Sequence, residues 1–173
     1  MTAVAGSVFT AAQFNQFVRD NLNATAPALA SVQGQIFVSD GVNSIAARLP
    51  TSNTVPTSQT TGSTSFGSLA TAGPAVTVTC GAQALVLLSG TLANNTSGQN
   101  SYMSYAVSGA TTVAATDDRS IILQEPTANQ VMRFSLAYFE SGLTPGSNTF
   151  TAQYRVSGGT GSFSSRILTV VPL

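Results

Sequence analysis

The sequence predicts a mainly β protein that ends in an antiparallel β-sandwich. Three observations predict this fold class. From Ala75 onward, short apolar-rich runs follow one another, and Gly, Asn, Ser or Pro separates them at the spacing of a sandwich or barrel. No helical periodicity interrupts these runs, and the one convincing helix pattern is confined to residues 9–23. At 173 residues, the chain suffices for one such domain with a small appendage, or for two very small domains.

The helix is predicted over about residues 10–23, with Thr10 as its N-cap. Thr10 and Gln13 have the T-x-x-Q spacing of a capping box, and Phe9 with Phe14 has the spacing of a hydrophobic staple. Pro27 stops the helix from continuing much further. One apolar stripe is expected on its surface, made of Phe14, Phe17, Val18 and Leu22.

This stripe requires a partner, because an isolated helix of about 13 residues is marginal in water. Two partners are open: the C-terminal domain of the same chain, or other subunits to which the helix anchors the protein. We favour the second. It predicts that the attachment contacts of the helix are Phe9, Phe14, Phe17, Val18 and Leu22.

A β-hairpin is predicted over about residues 35–49, where Ile36-Phe37-Val38 and Ser44 to Leu49 flank the turn sequence Ser39 to Asn43. Two short strands are not stable alone, so the hairpin also needs a packing surface. Ile36, Phe37 and Val38 are its predicted attachment contacts. Residues 1–49 are therefore predicted to be an N-terminal attachment segment.

Residues 50–73 are predicted to be an extended arm or linker, because Ser and Thr dominate and apolar residues are few before Phe66 and Leu69. A structureless run of this length inside a compact domain is uncommon. We therefore expect it to separate the attachment segment from a C-terminal sandwich domain at residues 74–173.

Seven strands are predicted in that domain, with room for a further short one near Thr112 to Ala114. They are Val76 to Cys80, Ala84 to Leu92, Ser101 to Val107, Ser120 to Gln124, Val131 to Phe139, Thr149 to Val156 and Arg166 to Val171. The run Leu85 to Leu88 is apolar on both sides, which suits a strand covered by the core on one face and by a neighbouring subunit on the other. The predicted subunit contacts are Leu85, Leu87, Tyr138 and Tyr154.

Composition excludes much chemistry. Charged residues are 7% of the chain, against about a quarter in an ordinary soluble domain, and six arginines balance six acids with no lysine. Without a basic stripe, no nucleic-acid partner is expected. The chain has no histidine and one cysteine, Cys80, which we expect in the core, so no catalytic residue, metal site or cofactor is predicted. No apolar stretch approaches the ~20 residues of a membrane span, so no membrane partner is expected.

The acidic residues support the same interpretation. Asp117-Asp118 is the one adjacent acid pair, and calcium needs several more ligands than two carboxylates, so we expect a solvated turn. Nothing in the sequence sets the carboxyl separation that a glycosidase would need between Glu125 and Glu140. The strand arginines, Arg133, Arg155 and Arg166, have two sets of candidate partners, Glu125 with Glu140 or acids across a subunit interface.

Several segments resemble structural proteins of phages. The opening V-F-T-A-A-Q-F-N-Q-F-V-R-D-N-L-N-A-T-A-P at residues 8–27 resembles the N-termini of virion proteins encoded by actinobacterial phages. The hairpin sequence G-Q-I-F-V-S-D-G-V-N-S-I-A-A-R-L-P at residues 34–50 resembles short modules of phage head-fibre and tail proteins. The segments G-P-A-V-T-V-T at 73–79 and L-T-P-G-S-N-T-F-T-A-Q-Y-R-V-S-G-G at 143–159 are similar to phage jelly-roll domains.

The resemblance implies a homotrimer with a tumour-necrosis-factor-like jelly roll, placed on the outer surface of the capsid and bound to the major capsid protein of the same virion. The expected function is capsid decoration by a minor capsid or head-fibre protein without enzymatic activity. One alternative is a minor tail or receptor-binding protein that recognises a host surface glycan through tyrosines, although strand aromatics more often pack in cores. A free carbohydrate-binding module is a third, against which the missing secretion signal counts.

Overall fold

The computed structural model of the chain describes residues 8, 10–23, 29–124 and 126–173. The chain divides into two compact units, Met1–Arg48 and Leu49–Leu173, and each is described by itself. Phe9, Pro27 and Glu125, which the sequence analysis singled out, lie outside the described residues. None of the described helices is long and apolar enough to cross a membrane.

The first described element of the first unit is a helix at residues 11–23, which we call the N-terminal helix. Its first turn α1 (Ala11–Phe14) and last turn α2 (Asp20–Asn23) are α-helical, and the intervening Asn15–Arg19 is π-helical. The predicted capping box is present: the Gln13 amide donates to the Thr10 hydroxyl at 3.2 Å, and the Thr10 amide donates to Gln13 Oε1 at 3.0 Å. Local sequence therefore specifies where the helix begins.

The same unit ends in the hairpin of β1 (Ile36–Gly41) and β2 (Ser44–Arg48). Its turn is shorter than the predicted Ser39–Asn43, because β1 continues through a register shift to Gly41, which pairs with Ser44. Asn43 then closes the turn at φ +57°, a left-handed conformation that asparagine tolerates better than most residues.

The second unit is a two-layer antiparallel sandwich, which confirms the predicted fold class. Its strands are β3 (Thr51–Val55), β4 (Gln59–Thr61), β5 (Ala75–Cys80), β6 (Gln83–Asn94), β7 (Asn100–Gly109), β8 (Ile121–Gln124), β9 (Met132–Ser141), β10 (Gly146–Val156) and β11 (Gly161–Pro172). One sheet has the order β3-β11-β6-β9, with β4 also on β11, and the other has the order β5-β10-β7-β8. With β4 set aside, the strands taken in chain order lie 1-8-3-6 and 2-7-4-5, which is the jelly-roll arrangement.

The predicted arm at residues 50–73 is part of this sandwich. β3 and β4 both pair with β11, and the following segment bonds to β10, since the Gly67 and Tyr154 amides donate to each other's carbonyls at 3.1 and 2.9 Å. The compact unit therefore starts at Leu49 rather than at residue 74. These strands could not be predicted from the sequence, because their side chains are mostly Ser, Thr and Asn. Main-chain hydrogen bonds to β11 hold them in place.

The core lies between the two sheets. Its largest apolar members are Leu88 and Leu92 of β6, Met103 and Tyr105 of β7, Leu123 of β8, Phe150 and Tyr154 of β10, and Phe163 and Leu168 of β11. Cys80 is buried with them, as predicted. Packing is tight at Gly90, where an added Cβ would lie 2.7 Å from Met103 Sδ, so a side chain at this position would force the Met103 side chain to shift.

Candidate interaction surfaces

The N-terminal helix exposes most of its predicted apolar stripe. Phe14 is 48% exposed, Phe17 is 40% exposed and Leu22 is 61% exposed, whereas Val18 is half-buried. The π-helical segment lies in the middle of this stripe, and the Asn21 side-chain amide donates to the Phe17 carbonyl there at 2.9 Å. Such local π segments occur frequently at functional sites. The helix thus exposes large apolar side chains, and none of its described side chains is buried.

The hairpin is apolar on both faces. Its register places Phe37 opposite Ala47 and Ser39 opposite Ile45, so Phe37 and Ile45 share one face and both are exposed. The other face carries Ile36 and Val38, which are half-buried, with Ala46 opposite Val38. The predicted contacts Ile36, Phe37 and Val38 therefore divide between the two faces.

No described side chain of residues 8–48 is buried. A two-stranded hairpin and a helix of this length are each marginal in water, so burial against something else has to supply their stability. Full burial of one phenylalanine contributes about 1.5 to 3 kcal/mol relative to leaving it exposed. The described part of this unit therefore has the properties of a segment that binds a surface.

A second apolar surface lies on the outer face of the β3-β11-β6-β9 sheet, and we call it the outer sheet face. Leu85 and Leu87 point outward from β6, as predicted, with Phe139 of β9 nearby at 52% exposure. A shallow cleft of about 410 Å³ opens on this face. Its lining includes Leu87, Ser89, Ser135, Ala137, Ile167 and Thr169.

The two tyrosines predicted to join Leu85 and Leu87 point the other way. Tyr154 is 1% exposed, and its hydroxyl donates to the Gly73 carbonyl at 2.8 Å. Tyr138 packs against the core from the inner side of β9. The predicted set thus divides between the outer face and the interior, because Tyr138 and Tyr154 occupy the inward positions of their strands. The implied trimer stays a prediction.

A tyrosine platform for saccharides is also absent from the described residues. Tyr102 and Tyr105 are buried, as Tyr154 is, and Tyr138 faces the core. Arg155 covers the ring of Tyr102, with its guanidinium carbon 3.6 Å from the ring centroid. These tyrosines therefore lie in or against the core in this conformation, and recognition of a glycan by the chain stays a prediction.

Glu140 forms a buried polar cluster at one side of the sandwich. It accepts a hydrogen bond of 2.8 Å from the Tyr105 hydroxyl and lies 3.2 Å from Arg119 Nη1. Burial, followed by the bond to the Glu140 carboxylate, raises the pKa of Tyr105 far above its ordinary value. Glu140 is thus paired with Arg119, which was not among its predicted arginine partners.

Arg155 fixes the Asp117 turn to the sheet. Its Nε donates to Asp117 Oδ1 at 3.0 Å and its Nη2 donates to Oδ2 at 2.5 Å. Phe66 lies on the guanidinium as well, at 5.3 Å from the ring centroid. The hydrogen bond to Asp117 is the main cause that raises the pKa of Arg155. One acid of the predicted solvated turn therefore holds a bidentate ion pair.

Arg166 is the largest fully buried side chain among the described residues. Its Nη1 donates to the carbonyls of Gly73 at 3.2 Å and Thr71 at 3.4 Å, and its Nη2 donates to the Thr57 carbonyl and to Gln59 Oε1, both at 3.3 Å. Its described partners are thus oxygens of residues 57–73, and Glu140, one of the predicted partners, pairs with Arg119 instead. A register shift in β11 between Ser164 and Ile167 changes the phase of the strand, and Arg166 then shares the inward face of Leu168 and Val170.

Comparisons with known proteins give no family. No protein-family model matches the chain, and no curated protein sequence matches it.

Among the described residues, no group of three or more Asp, Glu or Cys side chains is placed to hold a metal ion.

Two solved structures are similar in part. A chain from the structure of infectious bursal disease virus, Gx strain, is 11% identical over 74% of this chain, with a TM-score of 0.44, and this chain spans about a third of its length, 34%. A carbohydrate-binding module (CBM6cm-2) from Cellvibrio mixtus lichenase 5A in complex with cellotriose is 13% identical over 70% of this chain and 90% of its own, with a TM-score of 0.34. The jelly-roll assignment rests on the strand order given above.

Proposed function

We propose that the protein is a capsid decoration protein of a phage, a non-enzymatic minor capsid or head-fibre protein that binds the outside of the assembled head. The N-terminal unit attaches to the major capsid protein, and the jelly roll is displayed outward. One observation carries this proposal: the described residues of the first unit have no core, while they expose Phe14, Phe17, Leu22 and Phe37.

Docking of these residues supplies both attachment and stabilisation. The helix lays its phenylalanines into an apolar groove of the shell, and the hairpin adds main-chain pairing at its free edges. A ligand that binds only the assembled state shifts the equilibrium toward assembly, so such a protein acts as a cement between shell subunits.

The neutral surface supports display in many copies. Six arginines balance six acids in 173 residues. Neighbouring copies of a strongly charged protein would repel one another at close quarters on a shell, whereas copies of this chain carry no net charge to accumulate. This argument favours the capsid lattice over a single tail tip.

The test is binding of the full chain to purified particles of the phage that encodes it, measured by co-sedimentation. The double variant Phe14→Ser/Phe17→Ser removes two exposed aromatic rings, and we expect binding to fall below detection because most of the apolar contact is lost. The matched control is Asn15→Ser/Gln16→Ser, which changes two polar neighbours on the same helix and is expected to bind like the wild type. Unchanged binding of the phenylalanine variant would overturn the attachment role.

The number of copies per particle distinguishes a location on the capsid from one on the tail. Quantitative mass spectrometry of purified virions, with the major shell protein as the reference, is expected to give many copies in proportion to shell subunits. A handful of copies would indicate a minor tail or receptor-binding protein instead. Absence from virions would contradict any virion role and would leave a free binding module.

A further inference from the structure

Strand β9 is a long open edge of the sandwich. Among the described residues it pairs only with β6, and it runs for ten residues, Met132–Ser141. The other strands that pair on one side alone, β3, β4, β5 and β8, are between three and six residues long. A long edge strand presents a row of main-chain donors and acceptors that can pair with another strand.

The inner side of β9 is incompletely covered. Phe134, Leu136 and Tyr138 point toward the core but are only half-buried, whereas Val86 and Leu88, inward on the neighbouring β6, are buried. The cause is the short β8 in the facing sheet, which has four residues against ten in β9. The sandwich is therefore open along this side, and the side chains of Phe134, Leu136 and Tyr138 remain partly exposed to solvent.

The outer side of β9 carries complementary groups. Arg133, Ser135, Ala137 and Phe139 are all exposed there, and Phe139 has the largest apolar surface of the four. The Arg133 guanidinium makes a long hydrogen bond of 3.4 Å to Ser89, and no ion pair of it occurs within the described part of the chain. One end of the strand thus offers a cation and the other end offers an aromatic ring.

We propose that β9 pairs with β9 of a second copy of this chain, antiparallel, across a two-fold axis at Leu136. A two-fold axis perpendicular to the sheet keeps the two outer faces on the same side, so outward residues must oppose outward residues. The axis at Leu136 satisfies this condition. The result is one continuous sheet of ten strands, five from each copy.

In this register, side chains of β9 lie opposite chemically complementary side chains of the other copy. Arg133 of each copy lies opposite Phe139 of the other, which places a guanidinium beside an aromatic ring at both ends of the contact. On the inner side, Phe134 opposes Tyr138 of the other copy and Leu136 opposes itself. The half-buried core residues of β9 therefore cover one another.

The size of the contact suits a specific dimer. Ten residues at ~3.3 Å each give a strip of about 33 Å, and a width of about 15 to 20 Å buries roughly 500 to 650 Å² per copy. The total of about 1,000 to 1,300 Å² lies at the lower end of specific protein interfaces, so we expect a dimer that dissociates on dilution. A second copy is favoured over an unrelated partner because the strand is self-complementary and nearly uncharged.

Paired charge variants of the full chain test both the surface and the register. Ser135 and Ala137 are exposed and would oppose each other across the axis. Ser135→Glu/Ala137→Glu places like charges opposite each other, and we expect the dimer dissociation constant to rise about tenfold or more. Ser135→Glu/Ala137→Lys changes the same two residues but opposes unlike charges, and we expect dimerisation within roughly threefold of the wild type.

Sedimentation equilibrium over a concentration series is the measurement, with circular dichroism to confirm that each variant is folded. The wild type is expected to reach twice the chain mass, and Phe14→Ser/Phe17→Ser, which tests attachment, is expected to dimerise normally. A wild-type chain that stays monomeric up to about 1 mM, where only contacts weaker than about 4 kcal/mol escape detection, would overturn the proposal. So would a trimer, or equal effects of the two charge variants.

Discussion

At the scale of single residues, Arg166, Tyr154 and Gly73 connect the two sheets to the segment that precedes β5. The Gly73 carbonyl accepts hydrogen bonds from both the Arg166 guanidinium and the Tyr154 hydroxyl, and the guanidinium carbon lies 5.3 Å from the tyrosine ring centroid. The buried charge is therefore compensated by oriented carbonyl dipoles and a π face rather than by a carboxylate. Loss of the Arg166 guanidinium would remove the donor that bonds the Thr57 and Thr71 carbonyls as well, which is costly, whereas loss of the Tyr154 hydroxyl would leave the Gly73 carbonyl bonded to Arg166.

Tyr154 gives this cluster a pH dependence. Burial, opposed by the nearby Arg166 charge, raises the pKa of Tyr154 to about 12 in the folded chain, against 10.0 for an exposed tyrosine. The folded pKa lies above the unfolded one, so the stabilisation is fully present below pH 10 and is lost as the pH rises toward 12. Two units correspond to about 2 to 3 kcal/mol at most.

We therefore expect the free energy of unfolding to fall between pH 10 and 12 in urea titrations, with Tyr105 contributing in the same direction. Tyr154→Phe removes one titrating hydroxyl and is expected to lower the slope of this fall, at a cost of about 1 kcal/mol at neutral pH for the lost hydrogen bond. Tyr102→Phe is the control, because it removes a hydroxyl that bonds the Asn100 side chain instead of the Gly73 carbonyl. If the unfolding free energy of Tyr154→Phe falls with pH as steeply as that of the wild type, the Tyr154 hydroxyl does not contribute to the pH dependence.

At the scale of elements, the register shift in β11 decides which side chains enter the core. Before the shift, Gly161 and Phe163 face inward, and after it Arg166, Leu168 and Val170 do so. Ser165 makes the change at φ +47°, and its amide donates to the Pro56 carbonyl at 3.2 Å. A strand without this irregularity would turn Leu168 and Val170 outward.

Glycine substitutions on either side of the shift separate its backbone strain from ordinary strand effects. Ser165→Gly relieves a left-handed conformation that is unfavourable for a residue with a Cβ, and we expect a net gain of about 0.5 to 1 kcal/mol in unfolding free energy. Ser164→Gly, at the adjacent regular position, is expected to lose about 0.5 to 1 kcal/mol. Guanidinium denaturation measures both. Destabilisation by Ser165→Gly of the same size as by Ser164→Gly would contradict the strain.

The elements also show which features a sequence specifies locally. Thr10 and Gln13 predicted the helix start because both partners of a capping box lie within one turn. β3 was missed because its side chains resemble those of a linker and its stability comes from pairing with β11, more than 100 residues away. The burial of Arg166 was missed because the carbonyls that accept from its guanidinium lie 93 to 109 residues earlier in the chain, where the sequence resembles a linker. Leu85 and Leu87 were predicted as contacts outside the core because the run Leu85 to Leu88 is apolar on both sides, and the structure places both on the outer face of β6.

At the scale of the whole molecule, the two units divide the tasks of folding and contact. Every described member of the hydrophobic core lies between Leu69 and Val170, within the second unit. The described residues of the first unit contribute no buried side chain. Stability of the fold and exposure of apolar contacts are thus assigned to different parts of the chain.

Removal of residues 1–48 tests this division. We expect the chain from Leu49 onward to unfold with a free energy within about 0.5 kcal/mol of that of the full chain, because no member of the core is deleted. Thermal and urea unfolding under identical conditions are the measurements. A loss of several kcal/mol would mean that the first unit contributes to the stability of the sandwich, and it would weaken the argument for external docking.

Because Cys80 is buried, the reactivity of its thiol measures how often the sandwich opens. Its Sγ accepts a hydrogen bond of 3.2 Å from the side-chain amide of Asn148 on the neighbouring strand β10, and the chain has no other sulfhydryl. A thiol-reactive dye can modify the protein only when β5 separates from its neighbours, so the labelling rate measures the breathing of the native state without any engineered probe. Capture by a particle that restrains this breathing would slow the same reaction.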